Sequence, residues 1–244
     1  MIALLCSVQA EAELLLAKTA VKKSIIIGSK SVIEGTLAGR QILLCIGGMG
    51  KVNAAHATTL LLSQFSPHAL VIFGIGGAYP SSGAQVGDIA IAKKEIAGDE
   101  GVMTPDGFRD AEYIGIPLIR TAHSTMYTTY PASEPFLRRS LQALVSYQGL
   151  GSAKVHLGTF VTLSTCTGTS ALARTLEERY HGLCENMEGA AAVQVAELHN
   201  TPWFEVRGIS NIVEDRNLDI WDIPAAADSV QKVVMHVLDI FEKQ

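Results

Sequence analysis

"ALVIFGIGGA", residues 69–78, stays apolar from end to end and breaks into glycines in its second half. A strand with one face in water alternates apolar and polar residues. This stretch does not, so both its faces are expected to be covered. Its length and the following "YPSSG" favour a strand over a helix. Upstream, "RQILLCIGGMG" (40–50) is a second apolar run ending in glycines, and downstream "VGDIAIAKKEIA" (86–97) is a third. Between the first two, "KVNAAHATTLLLSQF" (51–65) has helical spacing.

The rest of the chain repeats the alternation. Strands are expected at 2–8, 24–29, 31–39, 154–165 and 201–210, and helices at 10–20, 133–148, 168–180, within 184–200 and at 222–244. Residues 98–118, with Gly, Pro and Asp, read as a long loop. Alternating strands and helices, with several strands apolar on both faces, predict an α/β fold: a single-domain three-layer α/β/α sandwich over residues 1–244 with a mixed central sheet. No internal repeat, low-complexity tract or linker interrupts it.

The composition agrees with a large core: of 244 residues, 48% are hydrophobic and 18% charged. The formal net charge of −5 and the absence of a Lys/Arg run argue against a nucleic-acid partner. Cys6, Cys45, Cys166 and Cys184 are far apart and form no metal-binding pattern, which suits reduced thiols in a cytosol. "MIALLCSVQAEAE" lacks a basic leader, and no apolar run reaches the roughly 18 residues that span a bilayer. The expectation is a cytoplasmic protein with no membrane partner. His56, His123, His156 and His236 show no triad-like pairing and read as surface or satisfied residues.

Ligands of such sheets gather beyond the carboxyl ends of the strands. Gly47, Gly48 and Gly50 follow one strand, and Gly74, Gly76 and Gly77 end another. Ser164, Thr165 and Thr167 follow a third, and Ser210 and Asn211 a fourth. One shared pocket is expected. "GGMGK" lacks the spacing of an ATP-binding phosphate loop. Glu11, just after the first strand, could activate a water molecule or could simply favour a helix N-terminus. Glu188 opens an apolar helix, where an unpaired buried carboxylate is costly; two sugar hydroxyls would satisfy it. Glu185 is the weaker acidic candidate and reads as exposed. Asn211 carries an amide that both donates and accepts, which suits the edge of a 6-oxopurine.

In order, "LLCSVQAEAELL", "GGMGKVNAA", "FGIGGAYPSSGAQVGDIAIA", "ENMEGAAAVQVA" and "VRGISNIVEDR" resemble the nucleoside phosphorylase/nucleosidase superfamily over nearly the whole chain. They are closest to the methylthioadenosine/S-adenosylhomocysteine nucleosidase branch. "GDEGVMTPDGF" and "EVRGISNIVEDRNLDIWDIPAA" resemble its futalosine hydrolase group, which acts in an alternative menaquinone pathway. The resemblance implies a nucleoside phosphorylase-like fold and an N-glycosyl hydrolase acting on a small purine nucleoside, with no metal or cofactor, working as a homodimer or higher homo-oligomer.

It implies roles residue by residue. Glu11 would activate water, Met187 and Glu188 would hold the ribose, and Met49 would lie beside it. Gly76 and Gly77 would line base and sugar, and Phe108 would reach a neighbouring subunit's substrate. Two departures stand out. Asn211 replaces the aspartate of adenine-specific relatives, which argues for hypoxanthine, and Thr165–Cys166 replaces a base-stacking phenylalanine. The absence of Arg or Lys in "CSVQAEAE" and "GIGGAYPSS" favours hydrolysis over phosphorolysis. Arg216, with Arg109 as the other candidate, is expected to meet the aryl carboxylate of futalosine. The competing readings are a methylthioadenosine/S-adenosylhomocysteine or aminofutalosine nucleosidase, a purine nucleoside phosphorylase, and a non-catalytic nucleoside-binding protein.

Overall fold

The computed structural model of the chain describes residues 1–121, 124–145 and 147–241. His123, one of the four scattered histidines, lies outside them. The chain opens with β1 (Ile2–Cys6), a 3-10 turn at Gln9–Glu11 and α1 (Glu13–Lys18). A meander of β2 (Ala20–Ile27), β3 (Lys30–Leu37) and β4 (Arg40–Ile46) leads into α2 (Lys51–Phe65). Then come β5 (Ala69–Ala78), β6 (Ile89–Ala97), β7 (Gly101–Thr104), β8 (Gly107–Asp110) and the short α3 (Ala111–Ile114). The pieces β9 (Ile119–Arg120), β10 (Thr125–Met126) and β11 (Thr129–Pro131) precede α4 (Glu134–Val145), β12 (Val155–Thr162) and α5 (Ser170–Tyr180). The chain closes with β13 (Gly182–Asn186), α6 (Gly189–Leu198), β14 (Trp203–Ile212) and α7 (Ile223–Val237).

A ten-stranded mixed sheet runs β11-β6-β12-β13-β5-β1-β4-β3-β2, and β14 bridges β5 and β6. The β1–β4, β1–β5, β5–β14, β6–β12 and β12–β13 pairs are parallel; β5–β13, β6–β14 and the β2–β3–β4 meander are antiparallel. The bridge closes β5, β14, β6, β12 and β13 into a ring.

The apolar run that starts this reading is β5, paired with β1, β13 and β14. Its alternate residues feed opposite layers. Leu70 and Ile72 join Ala57 and Leu61 of α2 and Val193 of α6; Val71 and Phe73 join Val230, Val233 and Val234 of α7. Fully burying each such Val, Leu or Phe side chain is worth about 1.5–3 kcal/mol. The helices on the two faces make the three layers.

One expectation about elements needs correction, and one strand lies outside the expected set. Residues 98–118 contain the β7–β8 hairpin and α3 rather than one loop. Pro105, Asp106 and Gly107 make the hairpin turn, with Gly107 at φ +105°, and Asp110 caps α3 by accepting from the N–H groups of Glu112 and Tyr113. The helix expected within 184–200 is α6, and the segment leading into it is the buried strand β13, which the sequence reading does not anticipate. Its five residues are too few for periodicity to separate strand from helix.

Candidate active site

The parallel strands deliver their carboxyl ends to one cavity of about 210 Å³. Among the sequence-predicted residues, Glu11, Glu188 and Asn211 line it, as do Met49, Gly76 and Gly77. Cys166 and Met187 complete the predicted set there, with Cys166 Sγ 3.5 Å from Met187 Sδ. Three predicted residues do not line it. Thr165 is exposed beside it. Phe108 lies on β8 in a separate cavity with Arg109, Arg179 and Tyr180, its ring 4.9 Å from the Arg179 guanidinium. The Arg216 guanidinium lies 4.8 Å from the ring of Trp221, which does line the cavity.

Glu11 ends the 3-10 turn after β1 and is buried rather than solvated. Its Oε2 accepts from Ser7 N (2.9 Å), Ser7 Oγ (2.8 Å) and Val8 N (3.1 Å); among the described residues its Oε1 accepts only from Ile75 N (2.9 Å). Gly74 makes that approach possible, since a Cβ there would sit 2.5 Å from Glu11 Oε1. This glycine yields space to a side chain rather than to a ligand.

Glu188 is the N-cap residue of α6. The helix start is satisfied from below: Asn186 Oδ1 accepts from Glu188 N (2.9 Å) and Gly189 N (2.7 Å), and Thr162 Oγ1 accepts from Ala190 N (2.8 Å). The expectation of an unpaired carboxylate is corrected. Glu188 Oε1 accepts from Gly50 N at 2.8 Å, and Oε2 pairs with Arg207 Nη1 at 3.5 Å.

Arg207, missed as a site residue, is 1% exposed on β14. Its Nε donates to Glu205 Oε1 at 2.9 Å and its Nη1 to Ile75 O at 3.3 Å. Although burial opposes its charge, Glu205, Glu188 and Glu11 together hold it well above the usual arginine value. Its sequence signal is an Arg two residues from a Glu in an otherwise apolar strand, which puts both charges on one face.

Glu185 on β13 is buried, not exposed. It lines the cavity and accepts from Thr167 N (2.8 Å), Thr167 Oγ1 (2.6 Å) and Tyr79 Oη (3.1 Å). Burial pushes its carboxyl above the ordinary range against those donors. Asn211, 8% exposed at the end of β14, is held at both ends of its amide. Ser210 Oγ donates to its Oδ1 (2.8 Å), and its Nδ2 donates to Ile212 O (3.0 Å). Burial raises the Cys166 thiol, and Glu185 raises it further. Among the described residues, the lining thus contains the carboxylates Glu11, Glu185 and Glu188 and no Lys, Arg or His.

The sequence model of the phosphorylase superfamily matches residues 1–241. A futalosine hydrolase from Acidothermus cellulolyticus is 33% identical over 184 residues, 75% of this chain and 69% of that protein. One from Streptomyces coelicolor is 32% identical over 205 residues, 82% of this chain and 79% of that protein. Among solved structures, the 5'-methylthioadenosine/S-adenosylhomocysteine nucleosidase of Neisseria meningitidis, in complex with methylthio-immucillin-A, superposes with a TM-score of 0.82 at 22% identity, covering 97% of each chain. That identity speaks to the fold alone. The match across almost the entire sequence, on a sheet that gathers its strand ends at one acidic cavity, places this chain in the phosphorylase superfamily.

Proposed function

We propose that this chain hydrolyses the N-glycosidic bond of futalosine, releasing hypoxanthine and dehypoxanthine futalosine, as a step of menaquinone biosynthesis. The observation that carries hydrolysis is the charge of the cavity: among the described residues three carboxylates line it and no cationic side chain does. A phosphate dianion would be repelled there, whereas water would not. The Arg207 guanidinium, which reaches Glu188, is held by Glu205 and Glu188. The futalosine hydrolase relatives and Asn211 support the oxopurine substrate.

In this reading Glu188 takes the ribose hydroxyls and offsets the positive charge that develops on the sugar. Asn211 holds the purine edge as negative charge moves onto the base; an amide cannot protonate it, so the help is hydrogen bonding. Glu11 receives the proton of the attacking water on Oε1, the oxygen with a single protein donor. Two carboxylates about a breaking glycosidic bond follow the logic of glycoside hydrolysis with a nitrogen leaving group. Gly76, Gly77, Met49 and Met187 flank the sugar, and Cys166 with Trp221 borders the base side. Arg216, beside Trp221, is assigned to the substrate's aryl carboxylate. Phe108, remote from its own subunit's cavity, is assigned to a neighbouring subunit's site. The chain works as one domain in a homodimer or higher homo-oligomer in the cytoplasm; among the described residues no helix is long and apolar enough to cross a membrane.

The test is incubation with futalosine, inosine and methylthioadenosine without phosphate, followed by identification of the free base. Hypoxanthine released from futalosine at the highest kcat/KM is expected. Preferred release of adenine would assign the chain to the methylthioadenosine-type nucleosidases, and a phosphate requirement to the phosphorylases. Binding without turnover would mark a nucleoside-binding protein.

A further inference from the structure

Beneath the cavity lies a second set of acids that the hydrolytic steps do not use. Glu95 on β6 and Glu205 on β14 are both 0% exposed. Their carboxyls meet beside the start of α6, where a Cβ on Gly189 would lie 2.6 Å from each Glu205 oxygen and would collide with Glu95 Oε1. The two carboxyls are close enough for a proton on one to be shared with the other. Glu205 Oε1 is taken by Arg207 at 2.9 Å, but among the described residues Glu205 Oε2 is buried with no N–H or O–H donor of ordinary protonation within reach. Glu95 accepts from Asn186 Nδ2 (2.6 Å), Ile96 N (3.1 Å) and Thr162 Oγ1 (3.0 Å).

We propose that Glu95 and Glu205 share one proton, and that this buried pair is a positioning element that holds Arg207, and through it Glu188, in the orientation that meets the sugar. The proposal rests on the reading of Glu188 as the sugar ligand. A proton on Glu95 is the donor that Glu205 Oε2 lacks. It also lets Glu95 Oε1 keep accepting from Asn186, which an amide nitrogen at that place could not do. Two ionised carboxylates in contact and out of water would repel too strongly for both to stay charged. With one proton the pair carries one negative charge, which matches Arg207 and leaves the guanidinium free to reach Glu188.

The surroundings fit this charge state. Glu95 faces Glu205 and Arg207 of β14, Asn186 and Cys184 of β13, Thr162 of β12 and Tyr130 of β11; Glu205 faces Arg207, Glu188 and Cys184. Arg207 is the cation among them. Burial first, and then the neighbouring Glu205, hold the Glu95 carboxyl well above the ordinary range.

Two substitutions separate a shared proton from mere packing. In Glu205→Gln the amide oxygen still accepts from Arg207, while the NH2 gives Glu95 a fixed hydrogen in place of the shared proton. Glu205→Leu keeps the bulk and removes both contacts. Expected is kcat/KM within about threefold of the parent for E205Q and a loss beyond about a hundredfold for E205L. The infrared band of a protonated carboxyl should be present in the ligand-free parent at neutral pH and should lose one component in E205Q. Equal losses in the two variants, or an infrared spectrum that E205Q leaves unchanged, would overturn the proposal. The infrared arm needs no substrate. If the band behaves as expected while the parent hydrolyses no nucleoside, the shared proton stands and the assignment of the site to sugar binding falls.

Discussion

Replacing Asn211 by Asp exchanges one nitrogen for one oxygen at the purine edge. In the parent, Asn211 Nδ2 donates to Ile212 O at 3.0 Å while Oδ1 accepts from Ser210 Oγ at 2.8 Å. The residue is 8% exposed, so an aspartate oxygen opposite the Ile212 carbonyl has little water to turn to. A buried acceptor facing an acceptor costs about 1–3 kcal/mol. For a chain of this size that corresponds to a Tm lowered by roughly 2–12 °C. The same free energy applies to an oxopurine held by the N–H of the amide. The ratio of kcat/KM for inosine over methylthioadenosine should therefore fall by roughly 5- to 150-fold. Protonating the aspartate restores a donor, so both penalties should shrink as pH falls toward its pKa. Base release followed by chromatography at two pH values, with thermal melts alongside, reads all of this. A substrate ratio that stays within about twofold of the parent, with Tm also unmoved, would refute the role given to Asn211.

Glu11→Gln should lower kcat by about 10²–10⁴-fold while the chain still folds, since it removes the base but keeps the shape; steady-state hydrolysis and circular dichroism check it. Arg216→Ala should raise KM for futalosine far more than it changes inosine turnover, because in the proposed reading it meets an aryl carboxylate that inosine lacks; equal losses on both would reject that assignment. Cys166 should react slowly with thiol reagents at neutral pH, since burial and Glu185 raise its pKa, and Cys166→Ser should retain turnover. Glu185 has a folded-state pKa raised above 4.5, so folding takes up a proton there. Its contribution is most favourable below that ordinary value and declines as pH rises through the raised one. Melting curves against pH should therefore fall less steeply toward alkaline pH in Glu185→Gln than in the parent.

The sheet is legible in the sequence because its central strands are covered on both faces and lose the alternation of a surface strand, as residues 69–78 do. The residues that line the cavity are legible where they sit at strand ends, which is how Glu11, Glu188 and Asn211 stand out. Glu185 is misread because its short strand runs straight into an apolar helix, and five residues cannot announce a period of two. The link from Glu95 through Glu205 and Arg207 to Glu188 is invisible for another reason. Its members come from two strands and one helix start, and nothing along the chain says that β14 closes a ring with β5 and β6. Phe108 is the position carried over through a loop, where likeness of sequence fixes place least well, and Arg216 is singled out only for following the strand end that bears Asn211.

Strand β5 touches β1, β13 and β14 at once, and those three neighbours lead to the parts of the chain that bear Glu11, Glu188 and Asn211. A change of side-chain size along it would displace all three together, so it offers no route for adjusting one of them alone. Attempts to retune substrate preference by mutagenesis should leave that strand untouched and work at the border of the opening, where Met49, Cys166 and Trp221 can be exchanged one at a time.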